Sequence, residues 1–377
     1  MKVLFISNIP VPYRVDFYNE LGKTVDLTVI FEAKKAEDQG IRFNYNLDTI
    51  KNFRAIFLSE GNIREKRIDF RVFQYLKEPY DRIILTSYSY YTEMAALIYL
   101  KMKKIPYFLS SDGGIIKYGE NLIKRKYKSF LISNAKGYFS PSEKSDEYLI
   151  YYGADADVVY RYPFTSFKNK DLQAEIIVSK RKKEIRERLG INEKYMILGV
   201  GQFIHRKGWD ILLKATKYFS NDIGVYIIGG EKIDVYENIM KQIDVNAKTH
   251  FLNFMDNETL KKYYQVADVF VLPTREDIWG LVVNEAMGCG LPVITTENCI
   301  AGMELVHHGE NGYIINNIDS DITPQILAEY ILKILNDENL QRKFSEESIK
   351  IIKKYTIEKM CDSYLQVILN GDECKKE

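Results

Sequence analysis

The sequence predicts an α/β protein with two parallel β-sheets that are covered by helices. Short apolar runs of strand length recur along the chain, and runs of helical length separate them. The predicted strands are residues 3–7, 27–31, 83–86, 107–109, 196–200, 225–228, 269–272 and 293–295. This alternation is typical of parallel strands joined by helical crossovers, and the number of strands is sufficient for two sheets.

The two sets of strands are expected to form two domains, because 377 residues can supply two separate cores. The boundary is predicted after the Tyr-Pro-Phe-Thr segment at 162–165 and before a charged helix. We therefore expect an N-terminal domain of residues 1–168 and a C-terminal domain of residues 169–355. Residues 356–377 contain a last predicted helix.

Composition excludes several classes of protein. The formal net charge of +1 argues against a general nucleic-acid binder, and 46% hydrophobic with 28% charged residues is typical of a soluble globular chain. The chain opens directly on a strand, without a leader, and no apolar run approaches the ~20 residues that cross a bilayer. A cytoplasmic protein is therefore predicted. Neither the four histidines nor the four cysteines (Cys289, Cys299, Cys361 and Cys374) have metal-ligand spacing or suggest a disulfide framework.

The most informative segment, residues 274–290, places acids between a predicted strand and the helix that follows it. That helix is predicted to begin at Leu281, just after Gly280, and a helix N-terminus favours a phosphate or diphosphate. Glu285 lies about one turn into the helix, where a carboxylate can accept hydrogen bonds from the hydroxyls of a ribose. Asp277 is placed to meet another part of the same ligand. The alternative is that Asp277 and its neighbour Glu276 only cap the helix.

A second segment, residues 198–208, runs from a buried strand into a loop bounded by glycines. Arg206 and Lys207 in this loop can both bind phosphate oxygens. The planar guanidinium of Arg206 can donate two parallel hydrogen bonds, and the ammonium group of Lys207 supplies a compact positive charge. The alternative is a solvated basic turn. Because ligands of α/β sheets bind beyond the carboxyl ends of the strands, both loops are expected to meet one nucleotide.

At these residues the chain resembles the family 4 glycosyltransferases, which are retaining enzymes of the GT-B fold, and the resemblance extends over most of its length. Their signature has two acids with seven residues between them, followed by Ala-Met and Gly-Leu-Pro-Val. Asp277 and Glu285 have that spacing and precede Ala286-Met287 and residues 290–293. The resemblance implies two Rossmann-like domains whose parallel sheets face each other across a cleft, with the last helix returning to the first domain.

The same resemblance implies roles for the site residues. Glu285 would hold the ribose, and Asp277, which replaces the usual glutamate, would approach the transferred sugar. The shorter side chain either alters donor choice or is compensated by Glu276. The upstream loop matches the family's phosphate element at Gly201, Lys207 and Gly208.

In that phosphate element Gln202 stands where the family has Arg, so Arg206 is the candidate for the missing charge. Residues 301–304, Ala-Gly-Met-Glu, resemble a loop that closes the sugar and phosphate pocket, which makes Gly302 and Glu304 donor-binding candidates. The alternative for this segment is an ordinary turn into a helix.

The first domain would present the acceptor. Its first loop, residues 8–14, contains prolines that stiffen it and ends at Arg14, which is either a contact for phosphate or acceptor or a solvated side chain. Asp112, in the loop at 110–114, occupies the place where many relatives carry histidine. It is predicted to orient the transferred sugar or a reacting hydroxyl, and the alternative is a turn-forming aspartate before two glycines.

The implied activity is retaining transfer of a hexosyl or related group from a nucleoside diphosphate sugar, UDP by default, to an acceptor hydroxyl. Arg206, Lys207 and the helix start at Gly280 and Leu281 would stabilise the leaving group, so neither a metal nor a cofactor is expected. Two Asp-x-Asp tripeptides, at 155–157 and 319–321, match the pattern of metal-dependent glycosyltransferases of another fold and are interpreted as coincidences.

The segment at 117–136 interleaves basic residues with aromatic and aliphatic ones. It is compatible with contact to an anionic membrane and a lipid-linked acceptor, at the inner face of the cytoplasmic membrane, in polysaccharide or glycolipid synthesis. The alternative is a solvated basic face whose apolar residues pack on the sheet. Two other functions stay open, a non-catalytic partner subunit of another glycosyltransferase and a sugar-nucleotide epimerase.

Overall fold

The structure of the protein is a computed structural model that describes residues 1–38, 41–44, 46–63, 67–172, 179–230, 234–243 and 247–370. The chain divides into two compact units, Met1–Ser166 with Tyr355–Glu377, and Phe167–Lys354. Cys374, one of the four cysteines considered above, lies outside the described residues.

The first unit contains a seven-stranded sheet in the order β5-β2-β1-β6-β7-β8-β9, and each pair of neighbours is parallel. Its strands are β1 (Lys2–Ser7), β2 (Asp26–Phe31), β5 (Arg54–Phe57), β6 (Arg82–Leu85), β7 (Phe108–Ser110), β8 (Gly137–Ser140) and β9 (Val159–Arg161). A separate antiparallel hairpin consists of β3 (Lys35–Asp38) and β4 (Ile41–Asn44). The central strands are buried along nearly their whole length, as expected when helices cover both faces of a parallel sheet.

In the described residues of the first unit, five helices lie between these strands along the chain. They are α1 (Pro12–Leu21), α2 (Val72–Tyr75), α3 (Tyr91–Lys103), α4 (Leu122–Ile132) and α5 (Glu143–Tyr151). α1 begins with Pro12, whose fixed φ and missing amide suit the first turn of a helix. α3 ends at Lys104, which has a left-handed conformation with φ of 55°.

The second unit contains a six-stranded parallel sheet in the order β12-β11-β10-β13-β14-β15. Its strands are β10 (Tyr195–Val200), β11 (Ile223–Ile228), β12 (Lys248–Leu252), β13 (Val269–Leu272), β14 (Val293–Thr296) and β15 (Gly312–Ile315). Its helices are α6 (Ser179–Leu189), α7 (Trp209–Ala215), α8 (Asp234–Gln242), α9 (Asn257–Val266), α10 (Leu281–Gly288), α11 (Ile300–Leu305), α12 (Thr323–Leu335) and α13 (Glu338–Ile352). Numbered within the unit, the strand order is 3-2-1-4-5-6, which is that of a Rossmann fold.

The last helix, α14 (Ile357–Asn370), belongs to the first unit and packs on α1. Its Tyr364 ring stacks on Phe139 of β8 at a centroid distance of 3.9 Å. The hydroxyls of Tyr364 and Ser110 are 2.6 Å apart.

The predicted fold class of two Rossmann-like units with parallel sheets is confirmed. All eight predicted strands are present, with ends that differ by two residues at most. None of the helices in the described ranges combines the length and apolarity needed to span a bilayer.

Candidate functional site

The candidate site lies in the second unit, where the strand order reverses between β10 and β13. These strands are neighbours in the sheet, and each leads at its carboxyl end into one of the two predicted loops. A crevice beyond the carboxyl ends of strands at such a reversal is the usual ligand position in an open α/β sheet. The sheet topology therefore brings the segments at 201–208 and 273–280 together.

Backbone contacts hold the two loops against each other. The carbonyl of Arg206 accepts hydrogen bonds from the backbone N–H of Arg275 at 2.8 Å and from Thr274 Oγ1 at 2.9 Å. Gly208 has a left-handed conformation with φ of +72°, and a Cβ atom there would lie 1.8 Å from the carbonyl oxygen of Pro273. Only glycine allows this approach. The two loops, residues 201–208 and 273–280, therefore pack directly against each other and form one edge of the candidate site.

Arg275 reinforces this edge and was not among the predicted site residues. Its guanidinium binds Asp210 with both terminal nitrogens, each at 2.8 Å, and donates to the His205 carbonyl at 3.0 Å. Burial acts to raise the pKa of the Asp210 carboxyl, but the hydrogen bonds and charge of Arg275 outweigh it and lower that pKa. Arg275 Nε also pairs with Asp319 at 3.1 Å, which assigns one acid of the second Asp-x-Asp tripeptide to an ion pair.

Three of the predicted catalytic residues meet in this edge. Lys207 Nζ lies 2.5 Å from Asp277 Oδ2, and both residues are buried. Arg206 Nη1 lies 3.8 Å from Asp277 Oδ1 and donates to the Glu276 carbonyl at 2.9 Å. The carboxylate of Asp277 is thus held by two cations, and the three side chains together carry one net positive charge, which suits an anionic ligand.

The helix that follows, α10, begins at Leu281 as predicted, directly after Gly280. Gly280 has φ of +100°, and a Cβ atom there would lie 2.9 Å from Cys299 Sγ and 3.5 Å from Asp277 Cγ. A side chain at this position would therefore crowd the acid and the buried thiol. The first amides of α10 begin beside Asp277, where a helix N-terminus favours negative charge.

Glu285 lies one turn into α10, and its Oε2 accepts a hydrogen bond of 2.9 Å from the hydroxyl of Tyr264. Tyr264 lies near the end of α9, is buried, and was not predicted. Burial raises the pKa of Glu285 to about 7, although the hydrogen bond from Tyr264 acts to lower it. The predicted ribose-binding acid therefore has a fixed carboxyl group whose charge changes near neutral pH.

Three other predicted donor residues, Gln202, Gly302 and Glu304, lie in the loop after β10 and on α11. The backbone carbonyl of Gln202 accepts a hydrogen bond from the Trp209 indole at 2.9 Å. Gly302 lies on α11, and a Cβ atom there would come within 2.4 Å of Thr295 Cγ2, so glycine lets α11 lie close to β14. Glu304 is a half-buried residue of the same helix. The start of α11 is bonded to the acidic loop, because the amide of Ala301 donates to the Trp279 carbonyl at 2.9 Å.

In the first unit, Arg14 and Asp112 are direct partners. Arg14 Nη2 lies 2.5 Å from Asp112 Oδ2, and the Tyr13 hydroxyl donates to the same oxygen at 3.1 Å. Burial acts to lower the pKa of Arg14, but the charge of Asp112 and the smaller contributions of neighbouring tyrosines together outweigh it, so the pKa is raised. Arg14 is therefore an ion-paired, largely buried side chain rather than a solvated one.

Across the part of the chain that the structure describes, no three His, Cys, Asp or Glu side chains are grouped to hold a metal ion. In the first Asp-x-Asp tripeptide, Asp155 accepts a hydrogen bond from the backbone amide of Asp157 at 3.0 Å and caps a short 3-10 helix.

Residues 181–351, which lie within the second unit, match the family model of group 1 glycosyl transferases. An uncharacterized glycosyltransferase of Haemophilus influenzae is 29% identical over 183 residues, 47% of this chain and 49% of that protein. The D-inositol 3-phosphate glycosyltransferase of Corynebacterium urealyticum is 28% identical over 186 residues, 46% of this chain and 42% of that protein. The chain thus covers less than half the length of these curated relatives.

Among solved structures, Anabaena HepE in complex with UDP and glucose has a TM-score of 0.77 with 15% identity. The similarity covers 98% of this chain and 100% of that one, and it establishes a shared fold. The family match is thus to residues 181–351 of the second unit, and the solved structure shows the fold of the chain.

Proposed function

We propose that this protein is a retaining glycosyltransferase that moves a sugar from a nucleoside diphosphate sugar to an acceptor hydroxyl. The observation that carries the proposal is the Lys207–Asp277 ion pair, which lies beside the start of α10 at the strand reversal of the second unit. The match of residues 181–351 to group 1 glycosyl transferases supports a transferase. UDP is the proposed nucleotide, supported by its presence in the HepE complex.

The residues at the strand reversal of the second unit each have a proposed part in donor binding. Lys207 and Arg206, together with the first amides of α10, bind the diphosphate and stabilise the charge of the departing nucleotide. Glu285 accepts a hydrogen bond from the ribose. Asp277 orients Lys207 and approaches the transferred sugar, and Gln202, Gly302 and Glu304 complete the donor pocket.

The reaction is proposed to need no metal, because cationic side chains and a helix N-terminus supply the positive charge that a diphosphate leaving group requires. Transfer rates measured in excess chelator are then equal to those in magnesium. A chelator-sensitive rate that returns with magnesium would contradict this part of the proposal.

Acceptor binding is assigned to the first unit. Asp112, held by Arg14 and Tyr13, presents a fixed carboxylate to a reacting hydroxyl. Asp112→Asn keeps the size of the side chain but removes its charge. It is expected to lower kcat/KM for the acceptor at least about tenfold while leaving nucleotide affinity unchanged.

The first experiment is calorimetric titration of the protein with UDP, GDP and ADP in chelator, repeated on Glu285→Ala. Selective binding of one nucleotide that this substitution weakens about tenfold or more supports the donor site. Glu184→Ala is the matched control, since Glu184 is an exposed acid of the same unit. Absence of binding to all three nucleotides contradicts the proposal.

The anomeric outcome is tested separately. The protein is incubated with sugar derivatives of the nucleotide that binds and with a set of sugar alcohol and glycoside acceptors, and NMR of the glycoside product reports the configuration at the anomeric carbon. Retention supports the proposed stereochemistry, whereas inversion would leave the transferase assignment standing and overturn the retaining mechanism.

A membrane-facing role is proposed for α4, in line with synthesis of a polysaccharide or glycolipid on a lipid-linked acceptor. In its first half, Leu122 and Ile123 are 70% and 77% exposed, and Phe130 further along is 51% exposed. Lys124 and Lys126 are exposed on the same helix. An outward apolar surface with lysines beside it fits the interface of an anionic bilayer.

Cosedimentation with vesicles tests this role. Vesicles with anionic phosphatidylglycerol should bind the protein and purely zwitterionic vesicles should bind it less, and the double substitution Leu122→Ser with Ile123→Ser should remove most binding. Met102→Ser is the control, because Met102 is 78% exposed on α3. Undiminished binding of the double variant would argue against α4 as the contact.

The two other functions considered from the sequence are a non-catalytic partner subunit and a sugar-nucleotide epimerase. The comparisons do not favour either of them. Both predict no glycoside product, so the transfer assay above also separates them from the proposed enzyme.

A further inference from the structure

The loop at 110–114, which carries Asp112, is hydrogen-bonded on both sides of that residue. The hydroxyl of Tyr162 donates to the backbone carbonyl of Ser111 at 2.6 Å. The backbone amide of Gly113 donates to Ser111 Oγ at 3.1 Å. Because a peptide group is planar, these two bonds fix the orientation of both peptide groups that flank Asp112. Of the two, the bond from Tyr162 comes from outside the loop, since 51 positions separate that residue from Ser111.

Tyr162, which directly follows β9, is itself held in place. It is 2% exposed, and its ring packs edge-on against that of Tyr364 on α14 at a centroid distance of 5.0 Å. The hydroxyl of Tyr364 lies beside that of Ser110 in turn. Burial raises the pKa of both phenols, so both hydroxyls keep their protons at neutral pH. In a densely packed interior the Tyr162 ring has no room for another rotamer, and its hydroxyl stays a fixed donor to the loop.

We infer that Tyr162 is a positioning residue that places the Asp112 carboxylate for the acceptor, with Tyr364 supporting Tyr162. Arg14 and Tyr13 both bind Asp112 Oδ2, so they set the direction of that oxygen. The bond from Tyr162 instead sets the backbone from which the side chain extends. A displacement of ~1 Å between reacting groups can cost on the order of a hundredfold in rate, so this backbone position matters for catalysis.

This inference rests on the proposed function, since it assumes that Asp112 meets the acceptor hydroxyl. The test therefore uses the donor and the acceptor that give the most glycoside product in the NMR assay above. Tyr162→Phe removes the hydroxyl and keeps the ring, so the peptide group between Ser111 and Asp112 can turn. We expect kcat/KM for the acceptor to fall about tenfold. Affinity for UDP, measured by calorimetry, should stay within about twofold, because the donor residues belong to the second unit.

The same substitution in the Asp112→Asn background separates positioning from general damage. If Tyr162 acts through the Asp112 carboxylate, its substitution has little left to change once that charge is gone. Tyr162→Phe should then lower kcat/KM by less than about twofold in Asp112→Asn, against about tenfold in the unaltered protein. A substitution that merely loosened the fold would lower kcat/KM by the same factor in both backgrounds.

Tyr364→Phe tests the support of Tyr162 from α14. It removes the hydroxyl beside Ser110, and we expect a smaller loss of about threefold in kcat/KM that also disappears in Asp112→Asn. Urea denaturation checks that each variant is folded. If Tyr162→Phe does not fold, the result for Tyr364→Phe decides the inference.

A matched control is available in the same unit. Tyr138 of β8 is fully buried and donates to the backbone carbonyl of Ile132 at 2.8 Å. Ile132 ends the helix that precedes β8, so this bond lies at the amino end of the strands, whereas the Asp112 loop follows the carboxyl end of β7. Tyr138→Phe removes the same kind of hydrogen bond and should leave kcat/KM for the acceptor unchanged in both backgrounds.

The outcomes separate this inference from the proposed function. An unchanged kcat/KM in Tyr162→Phe overturns the inference and leaves the transferase standing. A tenfold loss that persists in full in Asp112→Asn does the same, because Tyr162 would then act independently of that carboxylate. If the unaltered protein forms no glycoside product, the proposed function is overturned, and this inference with it.

Discussion

Lys207 Nζ and Asp277 Oδ2 are 2.5 Å apart, although 70 positions of sequence separate the two residues. Their side chains are 11% and 12% exposed, so the charges depend on each other rather than on water. Lys207, the predicted phosphate contact, and Asp277, the predicted sugar contact, therefore form an ion pair with each other in the free protein.

This pairing predicts how substitutions at the two positions combine. Asp277→Ala or Lys207→Met alone leaves a buried charge without its main partner and is expected to lower the free energy of unfolding by about 3 kcal/mol. The double variant is expected to lose clearly less than the sum of the two. Urea denaturation of the four proteins measures the coupling, and strictly additive losses would show that the ion pair does not matter to stability.

Arg275 gives a second prediction, because its two terminal nitrogens both bind Asp210. Arg275→Lys keeps the charge but loses the planar fork, and we expect the free energy of unfolding to fall by about 1–2 kcal/mol. Arg342→Lys is the control. Arg342 pairs with Glu346 on an exposed helix surface, where the change should cost only a few tenths of a kcal/mol. Similar losses in both variants would contradict a structural role for Arg275.

The strands that were predicted each contain an uninterrupted apolar run. β8 reads Gly-Tyr-Phe-Ser, in which only two residues are apolar, and β9 reads Val-Tyr-Arg, which ends on a charged residue, so neither has a clear local pattern. Both are stabilised by their place in the sheet. β8 pairs with β7 and β9, and these contacts depend on strand order, which the sequence pattern does not specify.

The sequence predicted those site residues that lie directly after a predicted strand. Lys207 and Asp277 each come after a predicted strand, and the strand order then makes them neighbours. Tyr264 precedes β13 on a helix, and no local pattern marks its bond to Glu285. The sequence did not predict the orientation of α4 either, because apolar residues are distributed around the helix. Contacts with the rest of the unit determine that Leu131 and Ile132 are the buried ones.

Gly208 provides a third prediction, through a comparison with Gly190. The two glycines have φ of +72° and +71°, but a Cβ atom would meet the Pro273 carbonyl at Gly208 and open space at Gly190. Gly190→Ala should cost about 1 kcal/mol from backbone strain alone, whereas Gly208→Ala should cost about 3 kcal/mol or more, since it must also separate the two loops. Urea denaturation measures both, and equal losses would mean that the loops can move apart freely.

The fourth prediction concerns two buried acids of the first unit. Glu93 is 0% exposed and its backbone amide donates to Glu32 Oε1 at 3.2 Å. Thr86 Oγ1 lies 3.5 Å from Glu93 Oε1, while Glu93 Oε2 has no hydrogen-bond partner within the described ranges. Burial raises the pKa of Glu32 to about 7, and burial with the Glu32 charge raises that of Glu93 well above its ordinary value.

The sign of the resulting pH effect follows from proton linkage. Well below the ordinary glutamate pKa of 4.5, the folded and unfolded chains both hold these protons, so the pair costs little. As pH rises toward 7 and beyond, the unfolded chain releases them first and stability falls. Glu93→Gln removes one of the two titrating groups, so the difference in bound protons between the folded and unfolded chains becomes smaller. This variant should have a free energy of unfolding on the order of 1–2 kcal/mol higher than the unaltered protein at pH 8, and a similar one near pH 4.5. Urea denaturation across this range measures the difference, with the exposed Glu143→Gln as a control that should show no such trend. A constant difference at all pH values would mean that Glu93 does not hold its proton in the folded chain.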